Sequence, residues 1–467
     1  MSEDDALSGQ SPQPEVHSQG LDKVPPETLR RAIGASAMGN MTEWFDYGAY
    51  AYVAVYIQHA FFPSQNQATA ALNTLLVFAV SFLFRPIGGM VLGPLGDRLG
   101  RQRVLAATII MMATSTLLVG LLPGYASIGA WAPILLVVLR MIQGFSAGGE
   151  YGGAATFMAE YAPDRKRGFC GSFLEFGTLA GFTLGALVVL VTELSIGKDA
   201  MGDWGWRIPF LIAGPLGLVG LYLRLRLEDT PVFKELERAD KQEHAAVAAL
   251  KDLVSQHWKS LLTLMGLVVA LNVTNYTLLA YMPTYLEQKI DLSSNQSLIV
   301  IIVGQTAMMV VIPFAGRLSD RLGRKPVWWV SLAGLFVLAV PAYLLMAQGV
   351  FLAMVGFAIL GLLYVLQLST ISATFPAMFP TQVRYAGFAI AYNISTALFG
   401  GTAPAVNEKL ISWTGSDLVP AYYMMAACVV GGIALAFVPE TARCSIRGTG
   451  IPGIDTSAQP LEPSALG

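Results

Sequence analysis

The chain has 467 residues, of which 54% are hydrophobic and only 13% charged, and its mean hydropathy is +0.56. A soluble chain carries about twice that charge, so the composition excludes a soluble globular domain and calls for an integral membrane protein. A net charge of −2 points to no nucleic-acid or other polyanionic partner.

The N-terminal stretch 1–30 is polar, rich in Ser, Gln, Pro and acid, and lacks the short apolar core of a cleaved signal peptide, so it reads as a disordered cytoplasmic tail. Twelve apolar runs follow, at 32–58, 69–95, 103–122, 131–158, 169–193, 206–224, 260–286, 297–316, 327–347, 350–378, 387–412 and 419–438. Each is long enough to cross a bilayer as a helix. With both termini cytoplasmic, 23 of the 29 lysines and arginines fall in the tails and the loops on that side, which fixes the orientation by the positive-inside rule. The spans group as a six-helix half over 31–224, a charged cytoplasmic linker over 225–259 and a second half over 260–442, with 443–467 as a disordered tail. Cys170, Cys428 and Cys444 have no pairing or metal-ligand spacing, which predicts neither disulfide nor metal. None of His17, His59, His244 and His257 falls at mid-membrane depth, which argues against a histidine proton relay.

The loop after the second span reads "GPLGDRLGRQR" and the loop after the eighth "GRLSDRLGRKP", so that Gly93, Asp97, Arg98, Gly100 and Arg101 recur 223 residues later as Gly316, Asp320, Arg321, Gly323 and Arg324. "PDRKRG" and "PTQVRYAG" align Pro163 with Pro380 and Arg167 with Arg384, 217 apart. Two six-span halves are the economical reading, and such repeats put a ligand site at the interface between halves, near the midplane. Glycines permit close helix approach, Asp caps or salt-bridges a neighbouring helix end, and the arginines hold the loop at the surface. These loops read as a structural latch, with Arg384 the expected partner of Asp97 and Arg167 of Asp320.

These loops, together with "RMIQGFSAGGEYGGA", resemble the signatures of the major facilitator superfamily, and "EWFDYGAY", "YAPDRKRGF", "WGWRIPF" and "FPTQVRYAG" resemble its metabolite:proton symporter subfamily. "LNVTNYTLLAYMPTYL", "GFCGSFLEFGTLAGFTLGALVV" and "PAYYMM" are similar to the branch that carries proline and betaine. The resemblance covers about 30–442 and implies an all-α membrane protein of twelve transmembrane helices in two six-helix pseudo-repeats, driven by the proton gradient across a bacterial-type inner membrane, without cofactor or obligate protein partner. One departure concerns regulation. The best-known members of that branch end in a long coiled-coil extension linked to osmosensing, whereas the tail here has no heptads and its Gly and Pro oppose a stable helix.

Six ionisable residues lie well inside the predicted spans: Glu43, Asp46, Arg85, Arg140, Glu150 and Glu175. Charge at that depth is expensive and faces a cavity, the bundle interior or another charge. At 100° per residue Glu43, Asp46, Tyr47 and Tyr50 share one helix face. That face is either a polar stripe closing on a neighbouring helix or a cavity wall on which one of the two carboxylates, kept from water, carries the coupled proton. Arg140, about 15 Å further toward the outer face than Glu150, is a structural ion pair or, as the resemblance implies, a modulator of proton binding. Glu150 lies among Gly148, Gly149, Gly152 and Gly153, either on the cavity or in close helix packing. Arg85 suits a substrate carboxylate, which it can grip bidentately, or else pairs with Glu43, Asp46 or Glu175. Glu175, beside the basic loop 165–167, reads as a gate or packing residue.

In the second half Asn272, Asn275, Tyr276 and Tyr281 supply hydrogen bonds and rings but no charge. Neutral groups facing a charged half suit a zwitterion whose carboxylate meets Arg85 and whose ammonium meets an aromatic box from Trp44, Tyr47, Tyr50, Phe176, Tyr276 and Tyr281. A dicarboxylate would call for a second cation, and no mid-span cation is evident in that half. The expected function is therefore proton-coupled import of a small zwitterion such as proline or glycine betaine. The nearest rival is symport of α-ketoglutarate or another organic acid. A non-transporting sensor would need a soluble output domain that neither the tails nor the linker can form. An enzyme would need a phosphate loop, metal cluster or nucleophile–base arrangement that the sequence does not present.

Overall fold

Backbone polar groups inside a bilayer have to be satisfied within the segment that carries them, so a chain this apolar folds into helices. The computed structural model describes residues 26–63, 67–99, 101–225, 255–380, 383–446 and 451, and among them every regular element is helical. The side chains of Asp97, Arg98 and Arg101 lie outside the described residues, so the expected Asp97–Arg384 pair does too.

In the first half the helices are α1 (Pro26–Tyr52, continued by Ala54–Phe61), α2 (Gln67–Leu99), α3 (Arg101–Leu121), α4 (Trp131–Ala147, continued by Glu150–Tyr161), α5 (Arg167–Ile196) and α6 (Ile208–Leu225). The second half holds α7 (Trp258–Asn275, running through Tyr276–Tyr281 to Met282–Gln288), α8 (Ser294–Leu322), α9 (Arg324–Met346), α10 (Val350–Leu368, continued by Ile371–Thr374), α11 (Arg384–Ser395, running through Thr396–Gly400 to Ala403–Thr414) and α12 (Val419–Phe437). Among the described residues eight of these are long and apolar enough to cross a membrane by length and composition alone, and α1, α3, α6 and α11 complete the twelve. Helices α7 and α11 each contain a π-helical stretch, Tyr276–Tyr281 and Thr396–Gly400. Such stretches mark functional positions more often than chance would place them.

Local chemistry sets several boundaries. Helix α8 starts in a capping box, with Ser293 Oγ accepting from the Gln296 amide and Gln296 Oε1 from the Ser293 amide. It ends at Gly323, whose φ of +105° favours glycine. The N-terminus of α9 rests on Glu440, which accepts from the amides of Arg324 at 2.9 Å and Lys325 at 3.1 Å.

Small residues decide how near the helices come. A Cβ on Gly144 would lie 1.7 Å from the Ser81 carbonyl oxygen, on Gly88 1.8 Å from that of Phe145, and on Gly148 2.0 Å from that of Arg85, so α2 and α4 touch backbone to backbone. Of the four glycines expected to thin the span around Glu150, only Gly148 does so. A Cβ on Gly149 would meet nothing within 4 Å, and the helix breaks between Ala147 and Glu150 instead of running through as expected.

The halves meet where α5 crosses α8 and where α11 packs on α2 and on the second part of α4. At the end of the bundle that carries the chain's last described residues, Asp320 of α8 accepts from the amides of Gly168 at 2.8 Å and Phe169 at 2.9 Å, while Arg324 donates to it at 2.6 Å. The expected Arg167–Asp320 ion pair is thus replaced. Asp320 caps the N-terminus of α5, a stronger use of a carboxylate facing four orphan amides, and Arg167 pairs with Asp164. Arg167 Nε donates to the Ala159 carbonyl at 3.2 Å and Arg384 Nε to the Pro376 carbonyl at 3.1 Å, each eight residues back. The two acceptors are 217 apart, like their donors, so the repeat extends to hydrogen-bond detail. Arg384 also reaches Glu160 of the other half at 3.1 Å. Arg321 contributes its carbonyl oxygen, which accepts from Arg443 at 3.0 Å.

The expectation of disorder from 443 onward fails for 443–446. Arg167 donates to the Cys444 carbonyl, Arg384 to that of Ile446, and the Ile446 side chain is buried with Ala159 and Ala377, one from each half. Likewise α1 begins at Pro26, inside the stretch expected to be a tail.

Two outcomes follow from this packing. Gly144→Ala should destabilise the detergent-solubilised protein by about 2 kcal/mol or more through overpacking, and Gly149→Ala by less than about 0.5 kcal/mol; equal melting temperatures would contradict the close α2–α4 contact. In a variant whose only cysteine is the buried Cys170, Asp320→Ala should raise the rate of maleimide labelling at least about tenfold, the effect of 1.4 kcal/mol. An unchanged rate would remove Asp320 as the clasp between the halves.

Candidate functional site

A small cavity lies where the halves meet, with Trp44, Glu175 and Thr178 on the first half and Asn275, Tyr364 and Tyr392 on the second. Asn272 also reaches it and donates to Thr396 Oγ1 at 2.8 Å. Its walls are fixed by buried hydrogen bonds. Trp44 Nε1 donates to Asn40 Oδ1 at 3.1 Å, Asn40 Nδ2 donates to Thr178 Oγ1 at 2.6 Å, and Tyr364 donates to Asn275 Oδ1 at 2.9 Å. Glu175 accepts from Tyr151 at 2.5 Å and from Thr178 at 2.9 Å, and the Tyr151 ring stacks on Tyr392 with centroids 4.6 Å apart.

Near Trp44 sits Arg85, fully buried and ion-paired with Glu43. Its guanidinium lies 5.9 Å from the Trp44 ring centroid, 5.2 Å from that of Tyr47 and 5.3 Å from that of Phe82, and Tyr276 packs on Phe82 at 5.0 Å. Arg85 Nε and Nη1 have no hydrogen-bond partner among the described residues. Of the partners weighed for this arginine, the fold selects Glu43.

Asp46 faces the other way. It accepts from Thr116 Oγ1 at 2.5 Å, Thr116 accepts from Gln143 Nε2 at 2.6 Å, and Gln143 Oε1 accepts from Arg140 at 2.8 Å. Arg140 lies under the Tyr50 ring, 4.2 Å from its centroid, and makes no direct ion pair among the described residues. The structural ion-pair reading of Arg140 is therefore set aside: neutral hydrogen-bonding groups stand between it and Asp46.

The face shared by Glu43, Asp46, Tyr47 and Tyr50 thus turns into the first half and not into the cavity, which Trp44 lines from the neighbouring face. Tyr50 donates to the Thr74 carbonyl at 3.0 Å, away from the cavity. Tyr281 is also elsewhere, donating to Glu408 at 2.7 Å, and Phe176 packs against Phe173. Glu150 accepts from Thr108 at 2.7 Å just after the break in α4. Glu175, expected to gate or pack, is the carboxylate that reaches the cavity.

Sequence reasoning passed over Tyr364 and Tyr392, Thr116 and Gln143, and two buried acids at the far end. Glu193 accepts from Tyr56 and Ser294, each at 2.9 Å, and Glu408 pairs with Lys289 at 3.0 Å. Glu408 adds a buried acid near the end of the run 387–412, outside the mid-span region that the sequence reading considered. The far end is closed as well: Tyr52 donates to the Leu279 carbonyl at 3.1 Å and accepts from Gln305 at 2.9 Å.

Residues 32–448 match the family described as "Sugar (and other) transporter". The chain is 45% identical over 427 residues to the "Proline/betaine transporter" of Escherichia coli strain K12, covering 90% of this chain and 85% of that one. It is also 45% identical over 431 residues to the "Glycine betaine/proline/ectoine/pipecolic acid transporter OusA" of Dickeya dadantii, with the same coverage. Among solved structures, the partially occluded, inward-open xylose transporter XylE from E. coli superposes with a TM-score of 0.69 at 18% identity, over 89% of this chain and 99% of that one, a likeness of fold. A twelve-helix bundle in two repeats, a cavity where they meet and these matches together assign the chain to the sugar (and other) transporter family of the major facilitator superfamily, as a multi-pass membrane transporter.

Proposed function

We propose that the chain is a proton-coupled symporter of a bacterial cytoplasmic membrane, both termini inside, importing a small zwitterionic solute of the proline and glycine betaine class by alternating access. The observation that carries this reading is the cavity itself: it lies between the repeats, is closed by inter-half hydrogen bonds at both ends, and is walled by aromatic residues, amides and Glu175, with Arg85 near Trp44. The names borne by relatives at 45% identity point to the same cargo. A dicarboxylate would call for a second cation at the cavity. Arg140 is engaged with Gln143, and Lys289 with Glu408.

Within this reading Arg85 attracts the solute carboxylate through its free nitrogens, and Asp46 is the better proton carrier of the two first-helix acids. Glu43 is already neutralised by direct contact with Arg85, whereas Asp46 is held only by Thr116 and sees Arg140 through Gln143. Protonating Asp46 removes its negative charge and adds a donor, which weakens its charge-assisted bond from Thr116 and its attraction to Arg140 and gives the proton a mechanical consequence for α1, α3 and α4. The inward proton gains about 2.3 kcal/mol per 100 mV of membrane potential.

Uptake of radiolabelled proline, glycine betaine and α-ketoglutarate in one transport-deficient host should favour the two zwitterions at least about tenfold; preference for α-ketoglutarate would overturn the assignment. Asp46→Asn should abolish accumulation against a gradient while leaving solute counterflow within about threefold, under 1 kcal/mol. Wild-type accumulation in that variant would remove Asp46 as the carrier.

A further inference from the structure

We propose that Glu175 receives the cationic end of the transported solute, an inference that rests on the zwitterion reading above. A carboxylate withdrawn from water needs a compensating charge close by, and removing a partner from a buried pair is costly because an uncompensated charge remains. Three other buried acids of the bundle follow this rule by direct pairing, Glu43 with Arg85, Asp320 with Arg324 and Glu408 with Lys289, and Asp46 is linked to Arg140 through Thr116 and Gln143. Glu175 is 2% exposed, and among the described residues its partners are two hydroxyls, those of Tyr151 and Thr178, with no basic group paired to it. It also lines the cavity between the halves. Glu193 shares the hydroxyl-only setting but sits at the far end with Tyr56 and Ser294, and Glu150 sits with Thr108 beyond the cavity wall.

The surroundings of Glu175 suit a particular kind of cation. Trp44, Tyr364 and Tyr392 present rings to the same space, and aromatic faces attract alkylated ammonium groups, which need no hydrogen bonds from the site. The stack of Tyr151 on Tyr392 links the carboxylate's donor to a ring of the opposite half, so a solute charge settling here touches both repeats at once. The Arg85 guanidinium lies 5.9 Å from the Trp44 ring centroid, with Nε and Nη1 unpartnered among the described residues. The solute then spans the two poles, ammonium at Glu175 and carboxylate toward the two Arg85 nitrogens that Glu43 does not hold.

The test compares glycine betaine with 3,3-dimethylbutanoate, its carbon isostere, which keeps the shape and the carboxylate and lacks the positive charge. Equilibrium binding to the purified full-length protein should favour betaine by at least about tenfold, and Glu175→Gln should erase that preference while leaving the isostere's affinity within about threefold. Retained isostere binding certifies that the variant is folded. If Glu175→Gln does not fold, Tyr151→Phe, which removes one hydroxyl donor from the carboxylate, should change the betaine-to-isostere ratio by about threefold or more with isostere binding held. A ratio that stays at the wild-type value in the variant, or equal loss of both ligands, overturns the role of Glu175 and leaves the zwitterion reading standing. A wild-type protein that binds the isostere as tightly as betaine overturns that reading and this inference with it.

Discussion

A charge inside a bilayer is stable only where protein, water or ligand compensates it, and the bundle is organised around that requirement. Arg85 holds Glu43, Arg324 holds Asp320, Lys289 holds Glu408, and Arg140 reaches Asp46 through Gln143 and Thr116. These links join helices that the hydrophobic effect alone would not tie together, because lipid tails are as apolar as leucine. The glycines between α2 and α4 bring those two backbones into direct contact.

The same logic accounts for the two ends. Near the last described residues the halves are joined by Asp320 on the amides of α5, by Arg384 on Glu160 and by Asn393 donating to the Gly148 carbonyl at 2.9 Å. At the far end they are joined by Tyr52 with Leu279 and Gln305, and by Ser294 with Glu193. Opening either end exchanges one set of bonds for water while the other set stays intact, which is what alternating access needs from two rigid repeats. Residues 443–446 bridge Arg167 and Arg384, one from each half, so separating the halves at that end must also release this short strap from one of them.

Much of the fold is legible in the sequence because it rests on periodic, local facts. All twelve apolar runs correspond to helices, and the spacing of Arg167 and Arg384 anticipates their matching contacts with Ala159 and Pro376. The candidate site is less legible. Which face of α1 meets the cavity depends on helix rotation against neighbouring helices, so Asp46 turned to Thr116 of α3 and Tyr50 to Thr74 of α2 while Trp44 took the cavity. Partner choice is equally non-local: nothing in the sequence distinguishes Asp320 capping two amides from Asp320 pairing with Arg167. Glu175 reads as a gate residue because of the basic loop nearby, yet the chain folds so that its carboxylate points into the space between the halves.

The central claim is that solute and proton cross together. Proteoliposomes holding the purified protein and a pH dye inside, with no pH difference imposed and the membrane potential clamped by potassium and valinomycin, should acidify when proline or glycine betaine is added outside. Solute entry with no change in internal pH would contradict the account.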